Sequence, residues 1–104
     1  MKVNEYQMAA MRTAAKYDSK DDQLLNGLMG LNGEAGEAID LMKKHMFQGH
    51  DLDVMHMAKE LGDVAWYLAL CADAILTMNI TKLKARYPDG FDAGASQHRA
   101  EGDL

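Results

Sequence analysis

The sequence is short of the features that mark several protein classes. It has one cysteine, which cannot close a disulfide within the chain, so a reducing compartment is expected. It has one proline, and a composition of 48% hydrophobic and 26% charged residues. That mix excludes a disordered, collagen-like or low-complexity chain. It lacks an excess of positive charge: 16 acids against 11 bases give a net charge of −5. A non-specific nucleic-acid binder normally carries a basic face, so no nucleic-acid partner is expected. No apolar run approaches the ~18–20 residues of a membrane span. The opening residues MKVNEYQMAAMR lack the apolar core of a signal peptide. The expectation is an intracellular, cytoplasmic protein without a membrane partner. Nothing alternates with period two, no β-branched run appears, and no solenoid-type repeat is present.

What is present is helical. The 104 residues suggest one domain, able to bury roughly two-thirds of its unfolded surface. Asn4 and Gln7 suggest a capping box, and Tyr6, Ala9, Ala10, Thr13, Ala14 and Tyr17 recur at helical spacing, predicting a helix over 4–17. The polar run Asp18 to Asp22 breaks it. A second helix is expected over 23–45, with Leu24, Leu28, Leu31, Ala35, Ala38, Ile39 and Met42 as its apolar stripe. Gly27, Gly30, Gly33 and Gly36 inside it suggest either close packing on another backbone or a start nearer Leu28. After a loop at 47–51, Asp53 is a plausible N-cap for a third helix over 54–78. Its stripe is Met57, Leu61, Val64, Ala65, Leu68, Ala72 and Ile75. A shorter helical piece follows through Arg86, ending before Pro88. The expected fold is all-α, a bundle of three long helices plus a short C-terminal helix, completed by oligomerisation. Residues 1–91 are expected to form the domain and 92–104 a flexible tail.

Two segments carry chemistry, Glu34-Ala-Gly-Glu37 and Glu60-Leu-Gly-Asp63. Each sets two carboxylates at i and i+3, on one helix face. Each has glycine directly before its second acid, where a small residue admits a neighbouring helix. The 22 residues between Glu37 and Glu60 suffice for a turn that makes the helices antiparallel and lets all four acids converge. A lone acidic pair reads as a solvated face balanced by Lys43, Lys44 or Lys59. Here the acids border apolar stripes: at 100° per residue, Val64 and Tyr67 lie within about 40° of Glu60. Acids held at a core edge need a hard cation with oxygen ligands, commonly Mg²⁺. Removing these four acids takes the net charge from −5 to −1, so the acidity is largely this site.

The stretches GLNGEAGEAIDLMKKH, KELGDVAWYLA and NITKLKARYPDGF resemble the MazG-like nucleoside triphosphate pyrophosphohydrolases, an all-α superfamily. Its signature is Glu-x-x-Glu followed, after a spacer, by Glu-x-x-Asp. The resemblance runs from about Tyr6 to Phe91. It implies that Glu34, Glu37, Glu60 and Asp63 bind Mg²⁺, with Mn²⁺ as a substitute, and serve catalysis. It implies hydrolysis between the α- and β-phosphates of a nucleoside triphosphate, giving the monophosphate and pyrophosphate. The family pattern Lys-Leu-x-x-Arg-Tyr-Pro matches Lys82, Leu83, Arg86, Tyr87 and Pro88, with Asn79 ahead of it. These residues, with Lys43 and Lys44, are the expected substrate contacts. Relatives are typically dimers or dimers of dimers, so a homodimer or homotetramer is expected. Three readings stay open: a general NTP or dNTP enzyme, a hydrolase of phosphoribosyl-ATP or of dUTP or dCTP, and a non-catalytic metal-stabilised module.

Only Ala74 to Met78 separate Asp73 from Asn79, a shorter connection than relatives usually have. A continuous helix would place Lys82 about 28 Å from Asp63. Either the helix breaks near Thr77 to Asn79 and folds back, or the segment serves a neighbouring subunit. Cys71 and the nine methionines read as packing residues, as does Trp66. His45, His50, His56 and His98 show no metal spacing, and the absence of Glu-x-x-His argues against a di-iron bundle. Asp73, some 140° around the helix from Glu60, is left out of the metal set.

Overall fold

A computed structural model describes residues 1–97, without the side chains of residues 77, 78 and 95. It confirms an all-α chain. Four helices are described: α1 (Val3–Met11), α2 (Lys20–Gln48), α3 (Val54–Arg86) and α4 (Ala93–Gln97). No single described helix is long and apolar enough to cross a membrane. The chain divides into two compact units, Met1–Ala74 and Ile75–Leu104.

In the first unit the helix boundaries differ from the sequence expectation for definable reasons. α1 starts earlier, where the Lys2 N–H donates to the Glu5 carboxylate at 3.4 Å. It also ends at Met11 rather than near Tyr17. There Thr13 turns back on the helix, its N–H and hydroxyl both donating to the Ala10 carbonyl at 3.0 and 2.7 Å. The same hydroxyl accepts from Trp66 Nε1 at 2.8 Å, which ties the turn to α3. Gln7 does not cap α1; its Nε2 donates to the Ala69 carbonyl at 2.8 Å.

α2 begins at Lys20, inside the run expected to break the chain. Ser19 is the cap, its Oγ accepting from the Asp22 N–H at 3.1 Å, and Asp21 and Asp22 oppose the positive end of the helix dipole. The helix runs on to Gln48 and stops at Gly49, whose φ of 73° a side chain would disfavour. Asp53 does cap α3: its Oδ1 accepts from the His56 N–H at 3.0 Å. The helical assignment then runs on to Arg86, with a break between Leu76 and Asn79, where the shorter piece was expected to begin.

The core is small and lies on a different part of α3 than expected. Ala69, Leu70 and Cys71 are buried, together with Ala10 and Ala38, and Leu70 is fully enclosed. Gln23 is buried with them, its Nε2 donating to the Leu70 carbonyl at 3.0 Å and to Asp73 at 2.9 Å. Much of the expected stripe stays in solvent: Leu28 is 49% exposed, Ile39 66%, Leu61 53% and Leu68 55%. A short α1 and two long helices offer too little partner surface to cover both stripes.

In the second unit, α3 ends through Leu83 to Tyr87, where the Tyr87 N–H donates to the Leu83 carbonyl at 2.8 Å. The Tyr87 and Phe91 rings lie 5.5 Å apart, and the Arg86 guanidinium sits 5.9 Å from the Tyr87 ring centre. Gly90 makes the turn with φ of 99°. The Asp92 carboxylate then accepts from the Gly94 N–H at 2.9 Å and opens α4. This one short helix occupies part of the expected tail. The remainder of that tail, with His98, lies outside the described residues.

Candidate metal centre

Glu34 and Glu37 stand one turn apart on α2, and Glu60 and Asp63 one turn apart on α3. The two helices meet closely just before the first pair. A Cβ on Gly30 would collide with the Tyr67 ring, and one on Gly27 would lie 2.5 Å from Cys71 Sγ. These positions fall one and two turns before Glu34. Close packing therefore accounts for two of the four α2 glycines. Gly36 and Gly62, directly before Glu37 and Asp63, adjoin open space instead. The expectation that these two admit a neighbouring helix is not met within the chain.

One carboxylate oxygen from each of Glu34, Glu37 and Glu60 lies within 4.8 Å of the other two. Asp63 is not in that group. It is exposed, and its charge reaches the cluster from the side, raising Glu34 and Glu37. Glu34 and Glu60 are partly buried and Glu37 is exposed. Glu34 Oε2 and Glu60 Oε2 are buried without a hydrogen-bond partner. A buried carboxylate oxygen lacking a donor is costly unless a cation or a proton meets it. An all-oxygen donor set of this charge suits a hard divalent cation.

The electrostatics of the cation-free cluster follow from crowding. The Glu34 carboxyl is raised to about 7, first by the adjoining Glu60 side chain, then by burial and the neighbouring charges. Glu37 is raised for the same first reason. Glu60 is lowered, first by the adjoining Glu34 and Glu37 side chains and further by His56. Crowding of like charges thus raises two of the three carboxyls, and a bound cation would relieve it.

Glu60 has a further partner that the sequence reading passed over. His56 Nε2 lies 3.0 Å from Glu60 Oε1, at i,i+4 on α3. Beside the acids, Ala38, Ile39, Met42, Met57, Leu61 and Val64 line an open apolar groove of about 340 Å³. The expected substrate contacts are distributed along the chain. Lys43 is exposed on α2, and Lys44 pairs with Asp40 at 2.9 Å. Asn79, Lys82, Arg86 and Tyr87 belong to the second unit, with Asn79 and Lys82 exposed. Asp73, set aside from the metal group, bonds Gln23 and Lys20 instead. Cys71 is buried, which raises its thiol.

The family model of the MazG nucleotide pyrophosphohydrolase domain matches residues 22–91. The chain belongs to the MazG family. All three clustered glutamates fall within the matched span. The Gene 37 protein of Mycobacterium phage L5 is 32% identical over 114 residues, covering 95% of this chain and 100% of that protein. No solved structure matches the chain. MazG membership points to nucleotide pyrophosphohydrolase chemistry in general, and the family is generally metal-dependent.

Proposed function

We propose that this MazG chain hydrolyses nucleoside triphosphates, NTP or dNTP, between the α- and β-phosphates, with Mg²⁺ held by Glu34, Glu37, Glu60 and Asp63. The observation that carries the reading is the convergence of three glutamates with two buried, unpartnered oxygens, inside the span matched to the family. Mg²⁺, when bound, neutralises phosphate oxygens and polarises an attacking water. The glutamates orient that charge at the edge of the apolar groove. A carboxylate of the set not engaged with the cation takes the water's proton. Lys43 and Lys44 supply positive charge to the phosphates, and Asn79, Lys82, Arg86 and Tyr87 contact substrate in a site of their own or of a neighbouring subunit. Lys44 exchanges its exposed pair with Asp40 for phosphate at little cost, since such solvent-screened surface pairs hold only weakly.

The working form is a homodimer or homotetramer, supported by the exposed stripe residues Leu28, Ile39, Leu61 and Leu68. A role in clearing nucleotides from the cytoplasmic pool suits a buried free thiol and this substrate class. The test is a panel of NTPs, dNTPs and phosphoribosyl-ATP with Mg²⁺, followed for each phosphorus product. Monophosphate and pyrophosphate are expected. Diphosphate and inorganic phosphate, or no turnover across the panel, would contradict the assignment.

A further inference from the structure

We propose that His56 is a positioning residue of the metal centre, fixing Glu60 so that its buried Oε2 is presented to the cation. The inference rests on the metal-binding reading above and adds a residue to it. His56 Nε2 is 3.0 Å from Glu60 Oε1, and with the ring proton on Nε2 this is a hydrogen bond to the carboxylate. The other oxygen, Oε2, is buried and has no hydrogen-bond partner. One oxygen of Glu60 is thus occupied by protein while the second is left for a ligand.

The histidine is itself anchored. Its backbone N–H donates to Asp53 Oδ1 at 3.0 Å, so it occupies the first turn of α3 at a fixed place, one turn before Glu60. A glutamate loses considerable side-chain freedom when it binds a cation. A pre-formed bond to a short, stiff ring removes part of that loss before the cation arrives. Ligating carboxylates are commonly held in this way by an outer partner. Among the described residues, the group whose ligand atoms all lie within 4.8 Å of one another comprises the three glutamates and leaves out His56. His56 therefore acts through Glu60 rather than as a ligand. Its side chain is 50% exposed against 13% for Glu60, as suits an outer residue that shields an inner one.

The experiment is calorimetric titration of the full chain with Mn²⁺, for the wild type, His56→Phe and His56→Gln. Thermal melts without metal run beside it. Phenylalanine keeps the ring and removes the donor; glutamine restores an N–H donor. His56→Phe should raise the Mn²⁺ dissociation constant about 10–100-fold, with its metal-free melting point close to that of the wild type. His56→Gln should recover most of the affinity. Wild-type affinity in His56→Phe, or equal weakening in both variants, overturns the positioning role alone. No Mn²⁺ binding by the wild type overturns the metal-centre reading and this inference together.

Discussion

At the residue scale, chemistry is concentrated in a few carboxylates whose spacing is legible in the sequence. The i,i+3 pairs name Glu34, Glu37 and Glu60 directly, and the structure brings these three together. Asp63 shares the spacing but stands outside the group, because position along a helix does not fix how far a side chain reaches across to its neighbour. His56 was hidden for another reason. Ligand spacing marks a histidine only when its partner is a metal, whereas the partner of His56 is a carboxylate on the same helix. Glu37→Gln should lower turnover about 100-fold or more, since it removes a ligand from charge stabilisation that is worth several kcal/mol. Circular dichroism should stay helical. Near-normal activity in that variant would remove Glu37 from the site. Asp73 gives a pH prediction. Its carboxyl is held below the usual range by Gln23, then by Lys20, so its folded value lies under the unfolded value of about 3.9. The resulting stability is present above pH ~4 and is lost as pH falls through the folded value. Wild type should therefore outmelt Asp73→Asn at pH 7, and the gap should close in acid. A gap independent of pH would show that the carboxylate charge is not what matters there.

At the element scale, the existence of α2 and α3 was legible from their stripes, and so was the start of α3 at its Asp53 cap, whereas the ends of α2 were not. Asp18 to Asp22 looks like a breaker because it is polar, yet Ser19 followed by two acids is also what a helix start requires. The early end of α1 depends on the Trp66 bond to Thr13, which crosses 53 positions and leaves no local trace. The glycines sort by contact rather than by sequence. Gly30→Ala drives a methyl into the Tyr67 ring and should destabilise by about 1–3 kcal/mol through overpacking. Gly33→Ala meets nothing within 4 Å and should stabilise by about 0.5–1 kcal/mol through helix propensity. Urea denaturation of both variants checks this pair, and equal effects would contradict the contact at Gly30.

At the scale of the whole molecule, the all-α class followed from the sequence, whereas the burial pattern did not. Periodicity identifies which face of a helix is apolar but not whether one chain has enough surface to cover it. Leu70, absent from the expected stripe, is fully buried, while Leu61 and Leu68, which belong to it, are about half exposed. If the exposed stripe is an interface between copies, sedimentation should give a dimer or tetramer, and Leu61→Glu should shift it toward monomer. A monomeric wild type would contradict that. Crossed sites between subunits are testable by mixing inactive Glu60→Gln and Lys82→Ala chains. Recovered activity is expected if the Asn79–Tyr87 segment serves a neighbour, and none, despite proven subunit exchange, if it serves its own chain. The metal centre has the most direct test in the thermal melting of the whole protein, in EDTA and in millimolar Mg²⁺. Crowded carboxylates oppose folding until a cation binds the native state, and a hundredfold excess over Kd adds about 2.7 kcal/mol. The wild type should melt higher with Mg²⁺, and Glu34→Gln should lose that response. Identical wild-type midpoints in EDTA and Mg²⁺ would contradict a cation site at Glu34, Glu37 and Glu60.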